Sequence, residues 1–148
     1  MSRISLKLEK EIRLEAENRC GYCLCEQKYV MTWLEIEHIF PLSKDGTTEK
    51  ENLWLACPFC NSFKSAQTHG NDPITRRKVE LFNPRKQIWK NHFAFSPDKV
   101  HIDGITACGR ATVIALQLNY ELALETRKHW VEVGWYPPQD IPSPQSKK

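Results

Sequence analysis

The chain is 148 residues long and 41% apolar, which is enough to bury one hydrophobic core and predicts a single domain. No apolar run approaches the roughly 20 residues that a transmembrane helix needs, so no membrane span or membrane partner is predicted. The formal net charge is only +3. That balance is compatible with nucleic-acid binding, but it is equally typical of an ordinary soluble protein.

The first predicted element is a helix over residues 5–18. Apolar residues recur there every four positions, at Leu8, Ile12 and Ala16, and charged residues fill the other faces. Ser5 stands where an N-terminal cap is needed. The helix leads directly into the first of two Cys-x-x-Cys pairs.

The next predicted elements are a β-hairpin and a helix. Residues 30–39 are rich in β-branched and aromatic side chains, and residues 53–56 form a second short apolar run, so both are predicted strands. An Asp-Gly turn signal lies between them, and Pro41 favours an end to the first strand because it cannot donate to a sheet ladder. Pro58 is tolerated in a first helical turn, so the sequence predicts a β-β-α unit.

A C-terminal extension follows this unit. Asn119 is predicted to cap its last helix, Gly134 is predicted to end that helix, and the Pro/Ser/Lys-rich residues 137–148 are predicted to fray. The other predicted elements are, in order, a loop over residues 68–85, one or two helical turns over 86–92, a β-hairpin formed by 93–95 and 100–102, and helices over 107–118 and 120–133.

Four of the six cysteines fall in two Cys-x-x-Cys pairs. This spacing is typical of tetrahedral zinc sites, because it lets both thiolates of a pair reach one ion about 2.3 Å away. The intervening segment, residues 24–56, is longer than in a typical zinc ribbon, so we expect a structural zinc that closes a functional segment. The four predicted ligands are Cys20, Cys23, Cys57 and Cys60.

The cysteine pattern as a whole argues for a reducing compartment. Cys25 is too close to Cys23 for a normal knuckle and is left outside the zinc site. Four cysteines in metal spacing, with no secretory signal pattern, favour a cytoplasmic protein over a disulfide scaffold. A redox protein that uses its Cys-x-x-Cys pairs is disfavoured, since no βαβ pattern accompanies either pair.

The motif that joins these features runs from residue 20 to residue 64. It resembles the zinc-bearing branch of the HNH endonuclease family, and less specific motifs extend the resemblance over about residues 5–138 to small stand-alone bacterial HNH proteins. The pattern reads Cys20-x2-Cys23, Glu37-His38-Ile39-x-Pro41, Asn52-Leu53 and Cys57-x2-Cys60-Asn61-x2-Lys64.

The resemblance implies an α+β fold with a ββα-metal core, also called a His-Me finger, which is stapled by the four-cysteine zinc site. An N-terminal helix precedes this core, and an extension of a β-hairpin and two helices follows it. We therefore predict one HNH nuclease domain over residues 1–148, with a core at about 18–68, an extension at about 69–136 and a frayed tail at 137–148.

By the same resemblance, the protein would hydrolyse DNA phosphodiester bonds and leave 5′-phosphate and 3′-hydroxyl ends. His38 matches the general base, and Asn52 matches the residue that ties the loop and holds the base. Glu37 and Asn61 match the ligands of one divalent ion, whose oxygen-rich shell suits Mg²⁺ or Mn²⁺. The chain departs from the family at Glu37, where many members carry Asp, and at Asn61, where the family name has His.

Basic residues are candidates for contacts with the phosphates of double-stranded or branched DNA. Arg76, Arg77 and Lys78 form a short basic run, for which an ordinary solvated surface is the alternative interpretation. The other candidates are Lys64, Arg85 and Arg110. The sequence does not choose between DNA and RNA with certainty, and it predicts no oligomeric state.

The alternative function is a zinc-stapled nucleic-acid-binding module without catalytic activity. The set Glu37, His38, Asn52 and Asn61 favours the enzyme, because a module that only binds has no need for all four.

Overall fold

The computed structural model describes residues 4–141. Within this range the chain forms short helices and three two-stranded antiparallel sheets, so the expected α+β class is confirmed. In chain order the elements are α1 (Leu6–Glu15), β1 (Glu35–His38), β2 (Leu53–Ala56), α2 (Pro58–Lys64), β3 (His69–Asn71), β4 (Lys78–Glu80), α3 (Trp89–His92), β5 (Phe93–Phe95), β6 (Ile102–Gly104), α4 (Ala107–Ala115) and α5 (Glu121–Glu132).

Helix α1 begins where the sequence predicts, because the Ser5 hydroxyl accepts a hydrogen bond from the Leu8 backbone N–H at 3.1 Å. It ends at Glu15, earlier than predicted, because Glu17 and Asn18 adopt the left-handed backbone conformation. The reversal carries the chain into the first cysteine pair.

The β-β-α unit forms as predicted, with Glu35 opposite Ala56 and His38 opposite Leu53 in the ladder. Strand β1 is shorter than predicted, because the backbone of Thr32 and Leu34 bonds the Gln27 side chain and not a neighbouring strand. The Gln27 amide accepts from the Leu34 N–H at 2.8 Å and donates to the Thr32 carbonyl at 2.9 Å.

The prediction of a loop over residues 68–85 is wrong, because this segment contains the β3–β4 hairpin. The sequence His-Gly-Asn of β3 has little intrinsic preference for a strand, so support comes from packing on α4. Gly70 lies so close to that helix that an added Cβ would be 3.4 Å from the carbonyl oxygen of Ala111. The hairpin therefore depends on a helix that follows it by about thirty residues.

The C-terminal extension has the predicted hairpin and two helices, with adjusted boundaries. Asn119 does not cap α5, which is a correction: its side chain accepts from the Ile102 N–H at 2.9 Å and donates to the Ile102 carbonyl at 2.8 Å. This side chain thus fastens the hairpin to the chain between α4 and α5. Gly134 follows α5 with φ of +79°, as expected of a helix stop.

A shared hydrophobic core joins the β-β-α unit to the extension. The Trp89 indole donates a hydrogen bond to the Tyr22 carbonyl at 2.8 Å, and Phe82 packs edge-on against both Tyr22 and Phe93. The Tyr136 hydroxyl donates to the Cys23 carbonyl at 2.7 Å. The extension therefore packs directly on the first cysteine pair.

Part of the predicted frayed tail is packed. Pro138 is buried, and the Arg19 guanidinium donates to the Asp140 carbonyl at 2.6 Å. Residues 142–148 lie outside the described residues. No helix between residues 4 and 141 is both long and apolar enough to cross a membrane.

Candidate active site and zinc site

The four predicted zinc ligands come together. The sulfur atoms of Cys20, Cys23, Cys57 and Cys60 all lie within 4.8 Å of one another, and those of Cys23 and Cys57 are 3.9 Å apart. Four thiolates around a zinc ion, each about 2.3 Å from it, would be about 3.8 Å apart. The cluster could therefore hold zinc, and Cys25, although buried, is not part of it.

Local structure shapes each cysteine pair. The backbone N–H groups of Tyr22 and Cys60 each point at a sulfur of their own pair, at 3.4 Å in both cases. Such N–H groups stabilise thiolates that bind a metal. Gly21 lets the first pair approach β2, because an added Cβ would lie 2.4 Å from the Trp54 ring.

His38 is the last residue of β1 and is half-buried, with its Nε2 atom 3.1 Å from the Thr48 hydroxyl. Burial, together with the nearby Lys64 ammonium, lowers the pKa of His38. A lowered pKa keeps the imidazole neutral near pH 7, which is the state that a general base requires.

Asn52 ties together the loop that follows His38. Its carboxamide accepts from the Phe40 N–H at 2.9 Å and donates to the carbonyls of Phe40 at 2.9 Å and Thr47 at 2.8 Å. Gly46 packs against the same strand end, where an added Cβ would fall 1.7 Å from the Phe40 carbonyl oxygen. These contacts fix the ends of the loop next to His38.

Glu37 points into the protein and is only 1% exposed. The Tyr22 hydroxyl donates to its Oε1 atom, and the Lys64 ammonium lies 3.6 Å from Oε2. Within residues 4–141, Oε2 makes no hydrogen bond. Burial raises the pKa of Glu37 to about 7, although the Lys64 charge and the Tyr22 hydrogen bond act in the opposite direction.

Lys64 also lies in the interior, at 2% exposed. Its ammonium donates to the carbonyls of Ile39 at 2.8 Å and His38 at 3.3 Å. These bonds hold the end of α2 against the end of β1, so Lys64 already has internal partners for its charge.

Asn61 lies on α2, and its carboxamide donates to a carboxylate oxygen of Glu35 at 2.8 Å. Glu35 is exposed and was not among the candidates from the sequence. The signal that could have found it is the period of two along a strand, which places Glu35 on the same face of β1 as Glu37.

The six basic candidates fall into two groups. Arg76, Arg77 and Lys78 are exposed, whereas Lys64, Arg85 and Arg110 bind protein groups. Arg85 donates to Glu15 at 2.9 Å and to the Leu53 carbonyl at 3.1 Å.

A buried carboxylate, Asp72, holds the turn that carries the exposed group. It accepts from two Arg110 guanidinium nitrogens, Nε at 2.7 Å and Nη2 at 3.0 Å, and from the Thr75 hydroxyl at 2.6 Å. The Arg110 guanidinium, with the Thr75 and Ile74 donors, holds the pKa of Asp72 well below its usual range. Arg110 therefore organises this turn from within the protein.

Comparison with known proteins supports the sequence resemblance. Residues 20–67 match the model of a family described as HNH endonuclease, which confirms the resemblance over that segment. The match spans both cysteine pairs and all four candidate active-site residues. No curated protein and no solved structure matched the chain significantly.

Proposed function

We propose that the protein is a metal-dependent endonuclease that hydrolyses phosphodiester bonds in DNA. The observation that carries this proposal is His38, with a lowered pKa, at the end of β1 and beside the Asn52-tied loop, within the segment that matches the HNH endonuclease family. A neutral imidazole in this place can accept a proton from water.

In the proposed reaction, His38 takes a proton from a water molecule, and the resulting hydroxide attacks phosphorus. The bond from phosphorus to the 3′-oxygen breaks and that oxygen takes a proton from water, so the products carry 5′-phosphate and 3′-hydroxyl ends. Asn52 holds the loop beside His38 and thereby keeps the imidazole in place. A divalent ion, when bound, neutralises charge on the phosphate and on the departing oxygen.

Asn61, together with a carboxylate of β1, would hold this ion. The resemblance assigns the carboxylate to Glu37, and oxygen ligands with water suit Mg²⁺ or Mn²⁺. The Asn61 carboxamide is half-buried and lies beside a carboxylate oxygen, so the oxygen donors present fit such an ion.

DNA, double-stranded or branched, is the proposed partner, and Arg76, Arg77 and Lys78 are its proposed phosphate contacts because they are exposed. Lys64, Arg85 and Arg110 are not proposed as phosphate contacts, since their charges bind protein groups. Zinc at the four cysteines would be structural, and a reducing cytoplasm would keep the thiols free to bind it.

Cleavage of supercoiled plasmid tests the proposal. The purified protein should nick or linearise the plasmid with Mg²⁺ or Mn²⁺ and should be inactive in excess chelator. His38→Ala should lose about 10²–10⁴-fold in rate while still binding DNA, because only the proton acceptor is removed.

His129→Ala is the matched control, because His129 is an exposed residue of α5. It should cut like the parent. Full activity in His38→Ala would show that the base assignment is wrong. A parent protein that binds DNA but cuts neither plasmid nor branched DNA would be a binding module without catalysis.

A further inference from the structure

The contact between Glu35 and Asn61 has the geometry of two ligands of one ion. Ligands next to each other in an octahedral shell with bonds of 2.0–2.1 Å are about 2.9 Å apart. The Asn61 carboxamide and the nearest Glu35 oxygen are 2.8 Å apart. A turn of the amide by 180° would present its oxygen in place of its nitrogen, so both residues could bind one Mg²⁺ with little rearrangement.

Exposure also separates Glu35 from Glu37. Glu35 is exposed, so an ion bound there could also contact a phosphate that arrives from solvent. The Glu37 side chain is shielded from solvent, and one of its oxygens accepts from the Tyr22 hydroxyl. Its second oxygen lacks a hydrogen bond, which by itself could accommodate an ion, but the Lys64 ammonium lies 3.6 Å from it. A divalent ion there would be repelled by that charge and would be out of reach of DNA.

We propose that Glu35, and not Glu37, supplies the carboxylate ligand of the catalytic divalent ion, together with Asn61. This inference rests on the proposed nuclease function and identifies a ligand of the same site. Glu35 opens strand β1 and His38 ends it, so a rise of about 3.3 Å per residue separates their backbones by about 10 Å along the strand.

Glu37 then acts as a positioning residue. It pairs with Lys64, and Lys64 donates to the carbonyls of His38 and Ile39. Through Tyr22, the same carboxylate is joined to the first cysteine pair. Glu37 thus links the zinc site, α2 and the strand end that carries the base.

Direct metal binding distinguishes the two glutamates. Mn²⁺ affinity is measured by titration calorimetry and by the loss of the free-ion EPR signal, on zinc-loaded protein without DNA. Glu35→Gln and Asn61→Ala should weaken Mn²⁺ binding by at least about tenfold, because removal of even an outer partner of a ligand costs that much. Glu37→Gln should keep the parent affinity within about twofold.

Glu51→Gln is the matched control, as Glu51 is an exposed glutamate outside both contacts. Zinc content and circular dichroism should be the same in all variants. In cleavage assays, Glu37→Gln should lower kcat while KM for DNA and Mn²⁺ affinity stay unchanged, which a general loss of structure would not do. Raised Mn²⁺ should partly restore cleavage by Glu35→Asp.

The inference is overturned if Glu37→Gln loses Mn²⁺ affinity while Glu35→Gln keeps it, or if the parent binds no Mn²⁺. Failure of the nuclease proposal looks different: the parent would then bind Mn²⁺ through Glu35 and cut no DNA. Cleavage with unchanged Mn²⁺ affinity in Glu35→Gln would refute the ligand assignment alone.

Discussion

Glu37, in the segment between the two cysteine pairs, and Asp72, in the extension, are both shielded from solvent, yet their pKa values move in opposite directions. Asp72 accepts five hydrogen bonds, two of them from Arg110, and its pKa falls. Glu37 accepts one from Tyr22, has Lys64 at 3.6 Å, and its pKa rises to about 7. Hydrogen bonds to the charged form, and not burial alone, decide which carboxylate stays ionised.

Backbone geometry explains the difference. Asp72 begins a turn, where the N–H groups of Ile74 and Thr75 are free of any ladder and bond its side chain. Glu37 lies within β1, and the two polar groups beside its carboxylate are side chains, the Tyr22 hydroxyl and the Lys64 ammonium. The extension thus contains a buried carboxylate with many hydrogen bonds, and the segment between the cysteine pairs contains one with few.

The largest expected effect on stability comes from removal of zinc from the four cysteines, which the extension does not bind. Cys57→Ser, or a chelator strong enough to remove zinc, should abolish cooperative unfolding, because zinc binding contributes on the order of 10 kcal/mol to folding in small zinc domains. The parent should contain about one zinc per chain by metal analysis. Cys25→Ser is the control for the metal and should keep the zinc, and a zinc-free parent of full stability would refute the zinc prediction.

A smaller effect should separate the two groups of cations. Arg85→Ala should lower the free energy of unfolding by about 2 kcal/mol, because it removes the guanidinium hydrogen bonds to Glu15 and to the Leu53 carbonyl, and should not change the salt dependence of DNA binding. Replacing Arg76, Arg77 and Lys78 by Ala should leave stability unchanged and reduce the salt slope by about one unit per lost contact. Urea unfolding and binding isotherms at several salt concentrations test both, and an unaltered slope in the triple variant would leave these residues as solvated surface.

The two carboxylates should differ in their pH dependence. The pKa of Glu37 is higher in the folded state, so its stabilising contribution is complete below pH of about 4.5 and is lost as pH rises through about 7. Between about pH 5.5 and 8.5, the free energy of unfolding of the parent should fall by about 2 kcal/mol relative to that of Glu37→Gln.

The contribution of Asp72 to stability depends on pH in the opposite direction. Its pKa is lowered on folding, so its contribution is present above pH of about 4 and is lost only below that. Asp72→Asn should therefore lower the free energy of unfolding by the same amount at every pH between about 5.5 and 8.5. Urea titrations at each pH give these curves; parallel curves for the parent and Glu37→Gln would contradict the raised pKa.

The smallest expected effect concerns helix starts. Helix α2 is capped by the Cys57 sulfur, and α4 is capped by the Thr106 hydroxyl, which accepts from the Gly109 N–H at 3.0 Å. Thr106→Ala should cost about 1.5 kcal/mol, because the hydroxyl that caps α4 also lies 2.7 Å from the His92 Nδ1 atom, whereas Thr106→Ser should stay close to the parent in thermal melts. An equal loss in both variants would mean that the methyl group of Thr106, and not its hydroxyl, matters.

Several features were predictable because their causes are local. The spacing of the cysteine pairs, the cap at Ser5 and the start of α2 at Pro58 each depend on residues a few positions apart. The Asn52-tied loop lies within the same short segment. Spacing and backbone preference are enough to predict such features.

Other features depend on partners far apart in the chain. Arg110 reaches Asp72 across 38 positions, and Arg85 reaches Glu15 across 70. A basic residue looks the same in the sequence whether it meets phosphate or an internal carboxylate, so the sequence offers both as candidate phosphate contacts. The β3–β4 hairpin was missed for the same reason, since α4 supports it.

By itself, the sequence determined the four-cysteine cluster, the β-β-α unit and the HNH resemblance, because each follows from residue types at short, regular spacings. Only the tertiary structure decided which charges face solvent and which face each other. It turned Glu37 and Lys64 toward the interior and left Glu35 beside Asn61, because α2 packs across β1 and its side chains meet strand residues that lie about 26 positions away in the chain.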